Sequence, residues 1–184
     1  MDFDAIYREY QPRIFRYLSQ LTCEADAHDL TQAVFLKVSR SLESFRGDSS
    51  LATWLFRIAT NTARDFADSA LARQREGEYL PEEPAELEAL AVAPEPHAED
   101  QLLRQEMNDC IQEMVRDMPE NYREVVVLSE FAELSNAEIA EVLGITLDAV
   151  KIRLHRGRKA LRTQMECQCN LYHDARSELM CDRK

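Results

Sequence analysis

The chain has 184 residues, 34 of them acidic and 22 basic, for a formal net charge of −12, with 45% hydrophobic and 30% charged residues. That length fits one mid-sized domain or two small ones, and the apolar share is enough for packed cores. No apolar run approaches the roughly 18–20 residues that span a bilayer, and the opening residues lack the apolar segment of a secretory signal, so a cytoplasmic chain with no membrane insertion is expected.

Helical periodicity dominates from the start: apolar residues recur at three and four, and β-branched alternation is almost absent. Ile6, Tyr10, Ile14, Tyr17, Leu18 and Leu21 form a first stripe, in which Pro12 predicts a bend or a break near the start of the helix. A second helix, from about Ala25 to Leu42, puts Leu30, Val34, Val38 and Leu42 on one face. Phe45 to Ser50 reads as a loop, with Ser49 or Ser50 able to cap the next helix. That third helix, from about Leu51 to Arg73, carries Trp54, Leu55, Ile58, Ala59 and Phe66. The spacing of Trp54 from Leu51, Leu55 and Ile58 favours core packing over an exposed stacking platform.

Residues 76–98 hold Pro81, Pro84, Pro94 and Pro96 among glutamates and alanines, with no Lys or Arg. Fixed proline geometry and like-charge repulsion predict an extended acidic linker, the alternative being an acidic helix of the first domain. A helix from about Asp100 to Arg116 follows, ended by Met118-Pro119, and another from about Tyr122 to Phe131.

The next stretch is the most informative. Ser135 and Glu138 have the spacing of a capping box, Ile139, Ala140 and Leu143 form the buried stripe of a short helix, and Gly144 stands where a left-handed cap is needed. Thr146 or Asp148 can cap a further helix with Val150, Leu154 and Leu161 inward and Gly157 in line. Two short helices meeting at a tight Gly turn make a helix-turn-helix, whose second helix lies in the DNA major groove. Its outward residues are Lys151, Ile152, Arg153, His155, Arg156, Arg158 and Lys159. Arg and Lys suit guanine edges and phosphates, and Ile152 suits a thymine methyl. Residues 151–162 carry six cations and no acid, so the local field attracts phosphate even though the whole chain is acidic.

The tail brings Cys167, Cys169, His173 and Cys181 together, three thiolates and an imidazole. That set suits a tetrahedral Zn, Cd or Cu(I) site, although the spacing is not that of a zinc finger. A redox switch and an unliganded tail remain open beside it. Cys23 and Cys110 fall in helical patterns and are expected to be buried.

Several blocks together resemble the extracytoplasmic-function (ECF) sigma factors. Leu134 to Arg162 looks like their fourth conserved region, opened by Pro119 to Leu128, while Asp29 to Val38 and Phe45 to Asp65 look like their second. The resemblance implies an all-α fold: region 2 over 1–75, the acidic Pro-rich linker over 76–98, region 4 over 99–165 and a Cys-rich tail over 166–184. It implies docking of Asp29, Leu30, Gln32, Phe35 and Leu36 on the β′ clamp helices of core RNA polymerase, with region 4 near the β flap. Ala33 stands where the family usually has an acid, and core packing competes for Leu30 and Leu36.

By the same resemblance Arg46, Asp48, Ser49, Ser50, Asn61 and Arg64 capture an unpaired base of the −10 element. Lys151, Ile152, His155 and Arg156 then read the −35 element, with Arg153, Arg158 and Lys159 divided between phosphate contact and core-edge packing. Gly157 replaces the usual Ala and is expected to loosen that helix by up to about 1 kcal/mol. The linker would thread toward the RNA exit path, and the tail loosely resembles metal-responsive members of the CorE type. No cofactor is required, an anti-sigma partner is common among relatives, and no enzymatic site is visible. The rival reading is a dimeric one-component repressor with a metal-sensing tail, which leaves the first block without a role.

Overall fold

A computed structural model of the chain describes residues 2–75, 110–173 and 179–183. The linker expected over 76–98 and the start of the helix expected at Asp100 lie outside the described residues.

The N-terminal bundle has three helices. Helix α1 (Phe3–Ser19) starts at Asp2, whose carboxylate accepts from the Asp4 amide at 3.1 Å. It runs through Pro12 without the predicted break. The ring removes only the N–H that would bond the Arg8 carbonyl, on an exposed turn where water can replace it. Helix α2 (Glu24–Ser41) runs into a 3₁₀ turn (Leu42–Ser44), and α3 (Leu51–Arg75) is capped by Ser50, whose Oγ accepts from the Thr53 amide at 3.0 Å.

Ile14, Tyr17, Leu18, Val34, Val38, Leu55 and Phe56 are fully enclosed between these helices. Tyr17 sets its ring edge on Phe56, centroids 5.4 Å apart, and shares a hydrogen bond of 2.8 Å with Thr60. Thr31 and Thr60, also buried, donate to the carbonyls of Ala27 and Phe56 one turn back, so neither hydroxyl is left bare. Trp54 packs half-buried against the core with Phe45 at 5.0 Å, the packing role its spacing predicts.

In the C-terminal bundle, α4 is helical over 110–116, followed by α5 (Glu120–Glu130), α6 (Asn136–Leu143) and α7 (Leu147–Gln168). Met114, Val115, Val125 to Leu128, Ile139, Val150 and Leu154 are buried between them. Gly157 does more than replace an Ala: a Cβ there would meet Val126 Cγ2 at 2.8 Å, so its missing side chain lets α7 lie against α5.

A single contiguous cluster of buried apolar residues runs through both bundles. After α7 the chain forms an antiparallel ribbon, β1 (Cys169–His173) with β2 (Leu179–Arg183), which helical periodicity did not foresee. No helix among the described residues is long and apolar enough to cross a membrane.

Candidate nucleic-acid interface

The turn between α6 and α7 is built as its residues require. Ser135 Oγ accepts from the Glu138 amide at 3.3 Å, and the Glu138 carboxylate accepts from the Ser135 amide at 2.9 Å, closing the capping box. Gly144 ends α6 at φ 66°, a conformation that costs a Cβ-bearing residue about 1 kcal/mol or more. Thr146 then caps α7 by accepting from the Ala149 amide at 3.2 Å.

Val150, Leu154 and Gly157 bury the inner stripe of α7, which fixes what its other faces present. Lys151, Ile152, His155, Arg156 and Lys159 are exposed, Ile152 at 52%, and Leu147 at the helix start is 42% exposed. An isoleucine left this bare among cations suits contact with a base edge such as a thymine methyl. Arg153 is half-buried. Arg158 points elsewhere: its guanidinium donates to Glu130 Oε1 at 2.6 Å and to Ser129, tying α7 to the end of α5, which is the packing alternative of the two roles open to it. Lys151 is only loosely held by Asp148 at 3.6 Å on the same helix. A shallow groove beside Arg156 and Lys159 also takes in Tyr122 and Cys167.

In the N-terminal bundle the predicted residues separate. Of the docking set on α2, Leu30 and Phe35 are core residues, 6% and 3% exposed, with Phe35 edge-on to Tyr7 at 4.8 Å. Asp29, Gln32 and Leu36 are exposed, Leu36 at 58%. The docking set that the resemblance implies is therefore spread over two faces of one helix, one buried and one bare, and of Leu30 and Leu36, where core packing competed, only Leu30 is a core residue. Tyr7 of α1, 41% exposed, packs beside Phe3 and Phe35, and its i+4 spacing from Phe3 is the sequence signal of such an aromatic pair.

Arg46, Asp48 and Asn61 are exposed, while Ser49 and Arg64 are half-buried. Ser50, Thr53, Arg57 and Arg64 fall at helical spacing on one stripe of α3, and that stripe faces the C-terminal bundle. Arg64 makes a two-pronged bond to Glu124, Nε to Oε1 at 2.7 Å and Nη2 to Oε2 at 2.8 Å, and the Glu124 side chain is only 8% exposed. This carboxylate bond, more than any charge at a distance, raises the affinity of Arg64 for its proton. Ser50 Oγ donates to Glu138 Oε1 at 3.1 Å, with Thr53 Oγ1 at 3.5 Å from the same oxygen, and Arg57 lies 4.0 Å from Glu141. With the Ser135 amide as the main cause, then the hydroxyls of Ser135, Ser50 and Thr53, the Glu138 carboxyl is held below its ordinary value.

On the tail, Cys167 is exposed and Cys169 buried, while the side chains of His173 and Cys181 lie outside the described residues. The ribbon register pairs Cys169 with Arg183, Leu171 with Cys181 and His173 with Leu179. Positions two apart on a strand, and positions opposite each other, share a face, so this register brings positions 169, 173 and 181 to one side. Cys23, expected to be buried, is instead exposed at the start of α2, its thiol donating to Asp26 at 3.1 Å.

The comparisons with known proteins agree with this geometry. The family model described as Sigma-70 region 2 matches residues 6–75, and that described as Sigma-70, region 4 matches residues 108–161. The chain is 37% identical over 145 residues to the ECF RNA polymerase sigma factor SigW of Bacillus subtilis, covering 76% of this chain and 75% of the relative. It is 34% identical over 161 residues to the RNA polymerase sigma factor YlaC of the same organism, covering 87% of this chain and 90% of that one. With the ECF RNA polymerase sigma-E factor of Escherichia coli it shares 29% identity over 165 residues, 89% of this chain and 86% of the relative. Among solved structures, the sigma factor RpoE of Bartonella quintana, in complex with the anti-sigma factor NepR, aligns with a TM-score of 0.66 at 22% identity over 90% of this chain and 97% of that one. CnrH, in complex with the cytosolic domain of CnrY, aligns with a TM-score of 0.64 at 23% identity over 90% and 88%. At those identities the two structures speak for the fold.

Proposed function

Since this chain belongs to the ECF family of RNA polymerase sigma factors, we infer that it directs promoter-specific transcription initiation by binding core RNA polymerase and promoter DNA. The observation that carries the reading is the capped helix-turn-helix with a bare basic face, lying within the match to sigma region 4. On this reading Lys151, Ile152, His155 and Arg156 meet base edges of the −35 element, while Arg153 and Lys159 hold phosphates. The exposed Asp29, Gln32 and Leu36 dock on the polymerase clamp helices. Arg46, Asp48, Ser49, Ser50, Asn61 and Arg64 take the −10 element and hold a base out of the stack.

The work is binding and strand separation, with no bond made or broken, and it takes place in the cytoplasm beside the polymerase. The acidic linker follows the RNA exit path, and a protein antagonist of the kind bound to the Bartonella chain would cover the docking or DNA faces. Run-off transcription with purified core polymerase tests the whole reading. A discrete promoter-dependent transcript is expected, and a chain that neither binds core polymerase nor yields one removes it.

Cys167, Cys169, His173 and Cys181 form the proposed metal- or thiol-responsive element. Support comes from the soft donor set and from the register that gathers three of those positions on one face of the ribbon. Zinc held there would tie the ribbon to the end of α7. About one equivalent of tightly held zinc, lost in the Cys181→Ser variant, is expected; a metal-free protein whose transcription is unchanged by that substitution counts against it.

A further inference from the structure

Helix α7 carries two acids, Asp148 in its first turn and Glu166 near its end. Glu166 accepts from Arg162 one turn back. Asp148 has no comparable task in the fold. The cap that the sequence left open between Thr146 and Asp148 is made by Thr146, whose Oγ1 accepts from the Ala149 amide. The Asp148 side chain is 87% exposed, and its ion pair with Lys151, exposed and 3.6 Å long, contributes little to stability. The helix dipole favours any acid in this turn, on whichever side of the helix it stands. The side on which Asp148 stands is left without a structural cause.

Positions 148, 151, 152, 155 and 159 recur at three and four along α7, away from the buried Val150, Leu154 and Gly157. Asp148 therefore heads the stripe that holds Lys151, Ile152 and His155, three of the residues assigned above to base edges. In a helix-turn-helix the N-terminal residues of the second helix are the ones that meet those edges. A carboxylate there is repelled by phosphates and by the acceptors that guanine (N7, O6) and thymine (O4) present in the major groove. Cytosine presents a bare amino donor at N4, the match for an acidic side chain. Lys151 Nζ, 3.6 Å from Asp148 Oδ1, offsets the acid's charge so that it can approach the duplex.

We propose that Asp148 is a specificity-determining residue of this chain: its carboxylate accepts from the N4 amino group of a cytosine in the −35 element. The proposal rests on the reading of α7 as the helix that enters the major groove there. Asp148 adds little to overall affinity, because every nearby phosphate repels it. Its effect is discrimination: thymine or guanine at that position sets acceptor against acceptor, and specificity is a difference of affinities.

In the test, holoenzyme assembled from the full-length chain and core polymerase selects from a pool of duplexes randomised over the length of a promoter, and the bound duplexes are sequenced. Wild type is expected to favour cytosine at one position of the upstream element, by roughly tenfold over thymine or guanine. Asp148→Ala is expected to flatten that position and leave the others as they were. Asp148→Asn is expected to raise adenine there, since a carboxamide matches adenine N6 and N7. Thr146 keeps the cap in both variants, and the substituted side chain is exposed, so both retain the fold.

The proposal is overturned by a base profile that either substitution leaves unchanged, and by a wild-type profile with no cytosine preference in the upstream element. Losses in Asp148→Ala spread evenly over all positions also overturn it, because that is the mark of a residue that only supports the helix. A wild-type holoenzyme that enriches no sequence at all removes the sigma-factor reading, and this proposal with it. A defined promoter profile indifferent to position 148 removes the proposal alone.

Discussion

Two single positions show how much one side chain decides here. Gly157 stands where a Cβ would press on Val126 Cγ2 at 2.8 Å, and Val126 is 1% exposed with a stiff β-branched side chain. Gly157→Ala gains about 1 kcal/mol in helix propensity but overpacks the α5–α7 contact at a cost of roughly 1–3 kcal/mol. A net fall of a few degrees in melting temperature is expected, with recovery when Val126→Ala is added; a variant that melts higher than wild type would show that α5 gives way easily. Glu138 supplies the second case. Its carboxyl is held below the ordinary value of 4.5 in the folded chain by the Ser135 amide first and then by hydroxyls. A depressed folded pKa contributes stability that is fully present above the unfolded value and is lost as pH falls through the folded one. Denaturant melts of wild type should therefore weaken below about pH 4.5 by more than those of Glu138→Gln. Parallel curves for the two proteins would refute the assignment.

At the scale of the element, α2 and α7 each carry two faces that a list of residue types cannot separate. On α2, Leu30→Ala empties a core site and is expected to cost about 2–5 kcal/mol. Leu36→Ser, on the 58% exposed face, should leave stability within about 0.5 kcal/mol while lowering affinity for core polymerase. Melting curves and co-elution with polymerase distinguish the pair, and a Leu36→Ser protein that binds polymerase as wild type does would move the docking face elsewhere. On α7, Arg156 is bare and Arg158 is tied to Glu130 at 2.6 Å. Arg156→Ala should weaken promoter binding by about 1–3 kcal/mol with melting unchanged. Arg158→Ala should change DNA affinity less, since its exposed ion pair contributes under about 1 kcal/mol of stability and its guanidinium is turned toward α5. Equal losses of DNA affinity in the two variants would put Arg158 on the DNA as well.

For the molecule as a whole, the apolar cluster running through both bundles and the Arg64–Glu124 bond make the bundles one cooperative body. Fluorescence of the chain's single tryptophan, Trp54, reports the N-terminal bundle, and far-UV circular dichroism reports both. The two urea transitions are expected to coincide in wild type and to separate in Arg64→Ala, which leaves Glu124 as an unpaired, nearly enclosed carboxylate. Coincident transitions in that variant would mean that apolar contacts alone hold the bundles together.

The sequence by itself determined the helices, their caps and the helix-turn-helix, because these follow from period, capping chemistry and a left-handed glycine, all local properties of the chain. Ser135, Glu138, Gly144 and Thr146 each do what their spacing implied. Only the tertiary structure decided which face of α2 is bare, why position 157 must be glycine, where Arg158 points, and that Glu124 and Glu138 meet the α3 stripe. Those outcomes depend on residues far apart in sequence meeting, about 30 positions apart within a bundle for the first three and 60 to 88 apart across the two bundles for the last, and no local pattern encodes such a meeting. The ribbon after α7 escaped a reading by helical period for the same reason: its strands are held by each other rather than by alternation within either one.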